Sequence, residues 1–307
     1  MKIIRTPTDA APYLNGLNTA FGAWGDAPEW NWTFVRTAGA HIAERLVATD
    51  DDGVWIAGSG VSWRQVAGVG HVGIMTGSWT LPAARGQGCF STFIRESSAM
   101  VSQSGGVALL SFVTATNPSR RRLEASGAHL VHSVYVRSVE PWSGAPAARL
   151  QLESVSQSLV ELLWALHTKQ TQLGCGFTYP DAASFAGQFI ERPQPVAVYR
   201  DSDTGDWAIF EHASDTDRLL FVGGQHADPR SNPKTWSGLA AWSGARDRKF
   251  FGFAIHPDHR RAAVATDLDI IPGFLCVNAA MADASADPGP GPEVLRGDWA
   301  LQSGDRM

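Results

Sequence analysis

A chain of 307 residues exceeds one ordinary domain and has room for two buried cores, so two domains of roughly 150 residues each are expected. Apolar residues make up 44% and charged residues 18%, which excludes the highly charged, apolar-poor composition of a disordered chain. A formal net charge of -5 excludes a general attraction to nucleic acid or anionic lipid, so an anionic ligand must be met by a local arrangement of donors.

The opening segment, Met1 to Pro12, lacks the apolar core of a signal peptide, and no later run reaches the roughly 18 apolar residues that span a bilayer. A cytoplasmic protein without a membrane partner is therefore expected. Cys89, Cys175 and Cys276 form neither an even disulfide set nor a paired metal motif, and no metal is expected.

Between Arg45 and Val61 two apolar, β-branched runs flank Asp50 to Gly53, which predicts a hairpin, and a third run from His71 to Thr80 extends it to an antiparallel meander. From Gly88 the spacing changes. Phe90, Phe93, Ile94, Met100 and Val101 recur at helical intervals until Gly105 and Gly106 stop the helix. Val107 to Thr114 reads as a buried strand, Pro118 to Ser126 as a short Arg-rich helix ended by Gly127, and His129 to Arg137 as another strand. The order β-β-β-α-β-α-β predicts an α/β (α+β) fold with a mixed sheet flanked by helices.

Glu140 to Pro146 carries Pro and Gly without periodicity, which places a linker there and domains at 1–140 and 150–307. Beyond it, Val155, Leu159, Leu162, Leu163 and Leu166 mark an amphipathic helix, and Asp181 is placed to cap another. Strands are predicted at Val196 to Tyr199, Trp207 to Glu211 and Leu219 to Val222. A helix follows near Trp236 to Ala245, then a strand at Phe250 to Ile255 and a second helix running toward Gly273 and Phe274. The stretch 287–292 is rich in Pro and Gly and reads as a mobile segment. The two halves echo one another: Ser111 to Arg122, a strand entering an Arg-rich helix, has a counterpart in Gly252 to Arg261, which suggests a duplicated fold with a degenerate second copy.

The segment Pro82 to Phe90 lies where a strand gives way to the amphipathic helix. Its small residues let the backbone turn sharply and gather N–H groups at a helix start, where unpaired donors and the helix dipole favour phosphate; Arg85 adds an ion pair. Read alone, the same residues also fit a plain tight turn with an exposed arginine.

In its context the segment resembles motif A of the GNAT acetyltransferases, R/Q-x-x-G-x-G/A, which cradles the coenzyme A pyrophosphate after the family's fourth strand. Arg85 and Gly88 match, and Phe90 followed by the small Ser91 stands at the final Gly/Ala. Val107 to Thr114 looks like the fifth strand, Asn117 like the Asn beyond it, and Gly127 like the Gly opening the sixth strand. The likeness covers about residues 1 to 138. It implies an acyl-coenzyme A cosubstrate whose pantetheine arm lies against Ser78, Trp79 and Thr80 and whose pyrophosphate is held by Arg85, Gly86, Gln87, Gly88, Cys89 and Phe90, with Asn117 beside it. It also implies an N-acyltransferase, acetyl being the first choice of acyl group, acting on a small amine.

The family's usual proton donor is absent: its Tyr falls at Leu123, and the strand-four carboxylate falls at Ile74 to Thr76, where this chain has none. His71, Tyr135 and Glu124 remain as candidate acid or base groups. Glu29 to Phe34 looks like the aromatic acceptor-side segment of two-domain members and nominates Trp30 and Trp32, while the same residues fit hydrophobic packing at a helix end. The terminal Gly297 to Asp305 resembles a motif of sugar-modifying members and nominates Asp305 for an amino group, hence an amino sugar. Arg120, Arg121 and Arg122 fit either the ribose phosphate or solvent, and His256, Asp258 and His259 fit a helix start better than a metal. From another class, the alternative reading is a non-catalytic acyl-coenzyme A sensor, which the missing Tyr and Glu favour.

Overall fold

The computed structural model describes residues 1–7, 9–38, 41–225, 227–279 and 297–306. The stretch 287–292 lies outside them. Strand β1 (Lys2–Arg5), helices α1 (Ala10–Phe21) and α2 (Ala27–Trp30), and short strands β2 (Thr37–Ala38) and β3 (His41–Ile42) open the chain, before the meander of β4 (Glu44–Thr49), β5 (Trp55–Val66) and β6 (Gly70–Thr80). The β4–β5 turn forms because the Asp50 carboxylate accepts the N–H groups of Asp52 and Val54 at 3.1 and 2.8 Å, while Gly53 takes a φ of 82°. Helix α3 (Cys89–Gln103), strand β7 (Ala108–Thr114), helix α4 (Ser119–Ala125) and strand β8 (His129–Arg137) follow in the expected order.

Strands β1, β4, β5 and β6 pair antiparallel in that order, and β7 pairs parallel to β6. Alternation along β4 sorts the two faces of this sheet. Val47 packs with Tyr13, Leu17, Trp30, Phe34 and Trp79 on one, whereas Leu46 and Ala48 pack with Cys89, Phe93 and Met100 on the other.

The second half contains β9 (Leu150–Glu153), α5 (Gln157–Thr171), β10 (Phe177–Thr178), α6 (Ala182–Phe189), β11 (Val196–Asp201), β12 (Trp207–Ala213), β13 (Thr216–Gly223), α7 (Pro233–Gly244), β14 (Lys249–Ala254), α8 (Pro257–Val264) and β15 (Asp269–Ala279). The Asp181 side chain caps α6 by accepting the Ser184 N–H at 2.7 Å. Strands β9, β11, β12 and β13 pair antiparallel, β14 pairs parallel to β13, and β8 lies antiparallel to β14. The antiparallel run closed by one parallel step thus occurs twice, so the mixed, mostly antiparallel α/β architecture is repeated.

By internal contacts the chain divides into two units, Met1–Leu130 with Leu275–Arg296, and Val131–Phe274 with Gly297–Met307. The division falls within β8 and β15, so neither unit is one continuous stretch of chain. The Pro/Gly-rich segment 140–146 belongs to the second unit. Trp142 packs against the cluster of Trp236, Phe250 and Ala240, its backbone passes so close to Gly244 that a Cβ there would overlap it, and the Ala148 N–H bonds to the Gly238 carbonyl at 3.0 Å. Local composition reads this packed crossing as a linker because Trp236, Phe250 and Gly244, against which Trp142 sits, are distant in sequence.

Two further differences separate expectation from structure. Helix α8 stops at Val264, and Gly273 and Phe274 lie inside β15, since Pro272 bars a helix and Ile270, Ile271 and Val277 favour an extended chain. Val155 precedes α5, whose cap is Ser156 with its hydroxyl accepting the Leu159 N–H at 3.2 Å.

Candidate functional site

Strands β6 and β7 pair at Val72, Gly73 and Ile74 with Ala108, Leu109 and Leu110, and they part beyond Ile74. Further along, Gly58 faces Trp79 and Gly60 faces Thr76, so β6 carries an extra residue at the same place. This bulge is centred on Gly77, whose φ of 54° suits glycine and whose carbonyl accepts the Tyr13 hydroxyl at 3.2 Å. The kink turns the last residues of β6 away from β7 and opens a gap between the strands.

A cavity of about 560 Å³ lies beyond this divergence, between the end of β6, the start of α3 and the turn that follows β7. Ser78, Trp79 and Thr80 form one wall; Arg85, Gly86, Gly88, Cys89 and Phe90 form the end; and Asn117, Ser119 and Arg122 form the opposite side. Gly86 and Gly88 hold φ values of 86° and 83°, which lets the loop after β6 enter α3 abruptly. The first helical bond is donated by Thr92 to the Gly88 carbonyl, so the N–H groups of Cys89, Phe90 and Ser91 stand ahead of the helix ladder at its positive end. Arg85 and Arg122 add two exposed guanidinium groups. A second hollow of about 850 Å³ shares Asn117, Pro118 and Arg122 with the first and is walled by Arg120, Arg121 and Glu124. Together these features suit an elongated ligand with phosphate groups at its outer end.

The nine sequence candidates Ser78, Trp79, Thr80, Arg85, Gly86, Gly88, Cys89, Phe90 and Asn117 therefore surround one space, while Gln87 is exposed on its turn. Phe21 at the end of α1, and Ser119, also line the cavity and were missed. Nothing local marks them, because α1 reaches the site only through its packing on the sheet. Burial raises the Cys89 thiol above its ordinary pKa, which opposes a thiolate nucleophile. The Asn117 side chain accepts the Ser119 N–H at 2.9 Å and shapes the turn into α4.

The remaining candidates lie elsewhere. His71 is exposed at the start of β6, seven positions before Ser78 and thus roughly 23 Å away along the strand. Tyr135 is buried in the second unit, with its ring 6.0 Å from Phe251 and 5.5 Å from Phe253. Trp30 belongs to the aromatic core, 5.5 Å from Tyr13 and 4.7 Å from Phe34, and Trp32 is buried with the Arg36 guanidinium 3.7 Å from its ring. Asp305 is fully buried: its carboxylate accepts the Tyr179 hydroxyl at 2.8 Å and the Gln302 N–H at 2.7 Å and lies 3.2 Å from His167 Nε2. Asp305, Trp30 and Trp32, which the sequence offers as acceptor contacts, are all buried among neighbouring side chains.

Leu123, where the sequence resemblance would place a Tyr, is completely buried. Leu123→Ala should lower stability by about 2–5 kcal/mol through the void it leaves. Turnover per folded molecule should stay near the parent's, as a denaturation curve and an activity assay on one sample would reveal.

The second unit repeats the parting of strands, with C-terminal side chains set at the end of β13. Pairing of β13 with β14 ends at Arg218 and Phe251. There Val222 at the end of β13 donates its N–H to the Gln302 side chain at 3.3 Å and accepts from it at 2.9 Å. Where α3 begins with an open glycine loop, α7 is preceded by buried Arg230, which bonds Asp228 at 2.7 Å and the Leu301 carbonyl at 2.9 Å. His259 Nε2 sits 3.0 Å from Asp228. In the second copy C-terminal residues bond the end of β13 and the loop that leads into α7.

This cluster predicts an acid sensitivity. Burial, helped by Arg230, pushes His259 down to about 4, whereas Arg230 and His259 hold Asp228 below the usual carboxylate range against the opposite pull of burial. The unfolded histidine titrates near 6.5, so unfolding takes up a proton between the two values. Stability is full above about pH 6.5 and falls toward pH 4, by roughly 3 kcal/mol for His259. Asp228 adds its loss below about pH 4, where its unfolded form protonates. Urea titrations across this range should show the slope, and His259→Gln should flatten it; parallel profiles would contradict the assignment.

Among the described residues no three His, Cys, Asp or Glu groups come together to hold a metal, and no helix is long and apolar enough to cross a membrane.

No family model matches the chain, and no curated protein matches it. Solved structures do. A GCN5-related N-acetyltransferase from Kribbella flavida is 13% identical with a TM-score of 0.58, covering 91% of this chain and 72% of its own. N-myristoyltransferase of Saccharomyces cerevisiae, solved with myristoyl-CoA, is 12% identical with a TM-score of 0.60 over 90% and 82%. The chain thus has the fold of the GNAT superfamily. It has it in two-domain form: a tandem GNAT protein from the clavulanic acid biosynthesis pathway, 11% identical with a TM-score of 0.59, matches over 92% of this chain and 100% of its own.

Proposed function

We propose that the first unit binds an acyl-coenzyme A and transfers its acyl group, most simply acetyl, to the nitrogen of a small amine. The observation that carries this reading is the gap between β6 and β7, opened by the Gly77 bulge and ending at the N-terminus of α3. The edge of β6 at Ser78 to Thr80 offers β-type hydrogen bonds to the amides of a pantetheine arm. The loop from Arg85 to Phe90 offers N–H groups and a guanidinium to the pyrophosphate, and Arg120 to Arg122 lie where further phosphate would extend.

In the reaction the amine lone pair forms the new C–N bond as the C–S bond breaks, and the thiol departs after gaining a proton. The protein's part is to hold both reactants together and to direct backbone N–H groups at the carbonyl oxygen. Among the described residues the cavity wall has no carboxylate, imidazole or phenol, so the amine binds as the neutral base and the proton its nitrogen loses on bond formation passes through water to the departing sulfur. The terminal motif that suggested an amino sugar is buried in the second unit and so gives that choice of acceptor no support.

That same lack of titratable groups favours a second reading, an acyl-coenzyme A sensor that binds without turnover. Incubation with acetyl-coenzyme A and a panel of small amines separates the two. Amine-dependent thiol release supports the enzyme, and binding with no release for any acceptor supports the sensor.

A further inference from the structure

The second unit's sheet ends at β9, and among the described residues no strand lies along its outer edge. Sheet edges commonly carry a lysine, a proline or a bulge, because unpaired N–H and C=O groups invite another chain. Strand β9 pairs with β11 in unbroken register, holds neither lysine nor proline, and exposes Leu152 to 70%.

Backbone alternation decides which groups face outward. The Arg149 carbonyl accepts the Ser202 N–H at 3.0 Å, and the same register continues as Leu150 opposite Asp201, Gln151 opposite Arg200 and Glu153 opposite Val198. Arg149, Gln151 and Glu153 thus turn their backbone groups toward β11, and Leu150 and Leu152 turn theirs to the open edge. Side chains alternate as well. Leu150 packs toward the cluster of Trp236 and Leu239, and Leu152 lies on the same face, whereas Arg149, Gln151 and Glu153 lie on the other.

We propose that β9 joins two molecules of this chain into a dimer, independently of the acyl-coenzyme A reading. A two-fold axis at Gln151 sets β9 antiparallel to β9 of the second molecule. In this register Leu150 of each molecule exchanges N–H···O=C bonds with Leu152 of the other, and these are the residues whose backbone groups face out. The exposed Leu152 then packs beside the other molecule's Leu150, and Arg149 of each faces Glu153 of the other. Arg149 is 75% exposed and bonds Asp203 at 3.4 Å, which leaves its guanidinium within reach of a carboxylate across the edge. An axis one residue to either side sets Arg149 or Glu153 opposite Gln151 instead and loses the charge pairing.

Sedimentation of the full chain at about 1–500 µM tests this. Each molecule contributes one short edge, so dimerisation is expected with a dissociation constant of about 10–100 µM. Every substitution acts twice across the axis. Leu152→Asp should therefore leave a monomer up to about 500 µM, and Arg149→Glu or Glu153→Arg should each weaken association about tenfold. The double variant Arg149→Glu/Glu153→Arg restores opposite charges and should recover most of that loss. Gln151→Cys, on the axis, should give a disulfide-linked dimer on mild oxidation, whereas the parent, whose three cysteines are buried, should not. The melting temperature of each variant at about 1 µM, where all are monomers, checks its fold. The proposal is overturned by a parent that stays monomeric at about 500 µM, by a dimer that survives Leu152→Asp, by a double variant no better than the single ones, or by a Gln151→Cys variant that does not cross-link.

Discussion

Replacing Asp305 with alanine should lower the unfolding free energy by roughly 3–5 kcal/mol, a large part of the stability of an ordinary domain. The carboxylate accepts from Tyr179 and Gln302 and faces His167, and each of those groups loses this acceptor in a space that water does not reach. The loss spreads because the same tail is held by the Gln188 side chain donating to the Gly304 carbonyl at 2.6 Å and by Gln302 pairing with Val222. Asp305→Asn keeps one acceptor oxygen and should lose about half as much. Chemical denaturation of the full chain measures both. If Asp305 instead oriented an acceptor amine, the variants would keep their stability and change only the acceptor KM; a stability loss below about 1 kcal/mol would reject the structural role.

The contrast between Asp305 and the loop at Arg85 shows what the sequence makes legible. The glycines at 86 and 88, the helical spacing from Phe90 and the apolar run before Thr114 are local signals, each tied to a backbone need within a few residues. The loop and its flanking strand and helix are therefore legible in the residue order alone. The bulge at Gly77 is not, because it exists only relative to the register of β5, and register depends on which strand lies alongside. Asp305 and Trp142 look exposed or functional in sequence for a related reason. A polar or aromatic residue near a chain end or between Pro and Gly has no local mark of burial, and its partners at positions 167, 179 and 236 lie far along the chain. The helix assigned toward Gly273 failed locally, where Pro272 and the β-branched neighbours outweighed the helical continuation from α8.

Reversing the charge at the donor loop should have the largest effect on ligand binding. For coenzyme A at about 100 times its dissociation constant, mass action stabilises the folded unit by roughly 2.7 kcal/mol. That corresponds to a rise in melting temperature of about 5–10 °C at 2–4 °C per kcal/mol. Arg85 is exposed, so Arg85→Glu should leave the melting of the free protein within about 1 °C of the parent. It removes one charge-assisted bond to a phosphate and puts a carboxylate at the same place. Together these should weaken binding about a hundredfold or more. At the same coenzyme A concentration the remaining stabilisation is then roughly 0.4 kcal/mol, a shift of about 1 °C. Raising the salt concentration should reduce the parent's shift as well, because part of the attraction is between exposed charges. Thermal melting of the two proteins with and without coenzyme A gives the comparison. Equal shifts would mean that the phosphate is held elsewhere. A shift lost in Arg85→Glu but kept in Arg85→Gln would mean that repulsion dominates, and that the N–H groups of Cys89, Phe90 and Ser91 hold the pyrophosphate without the guanidinium.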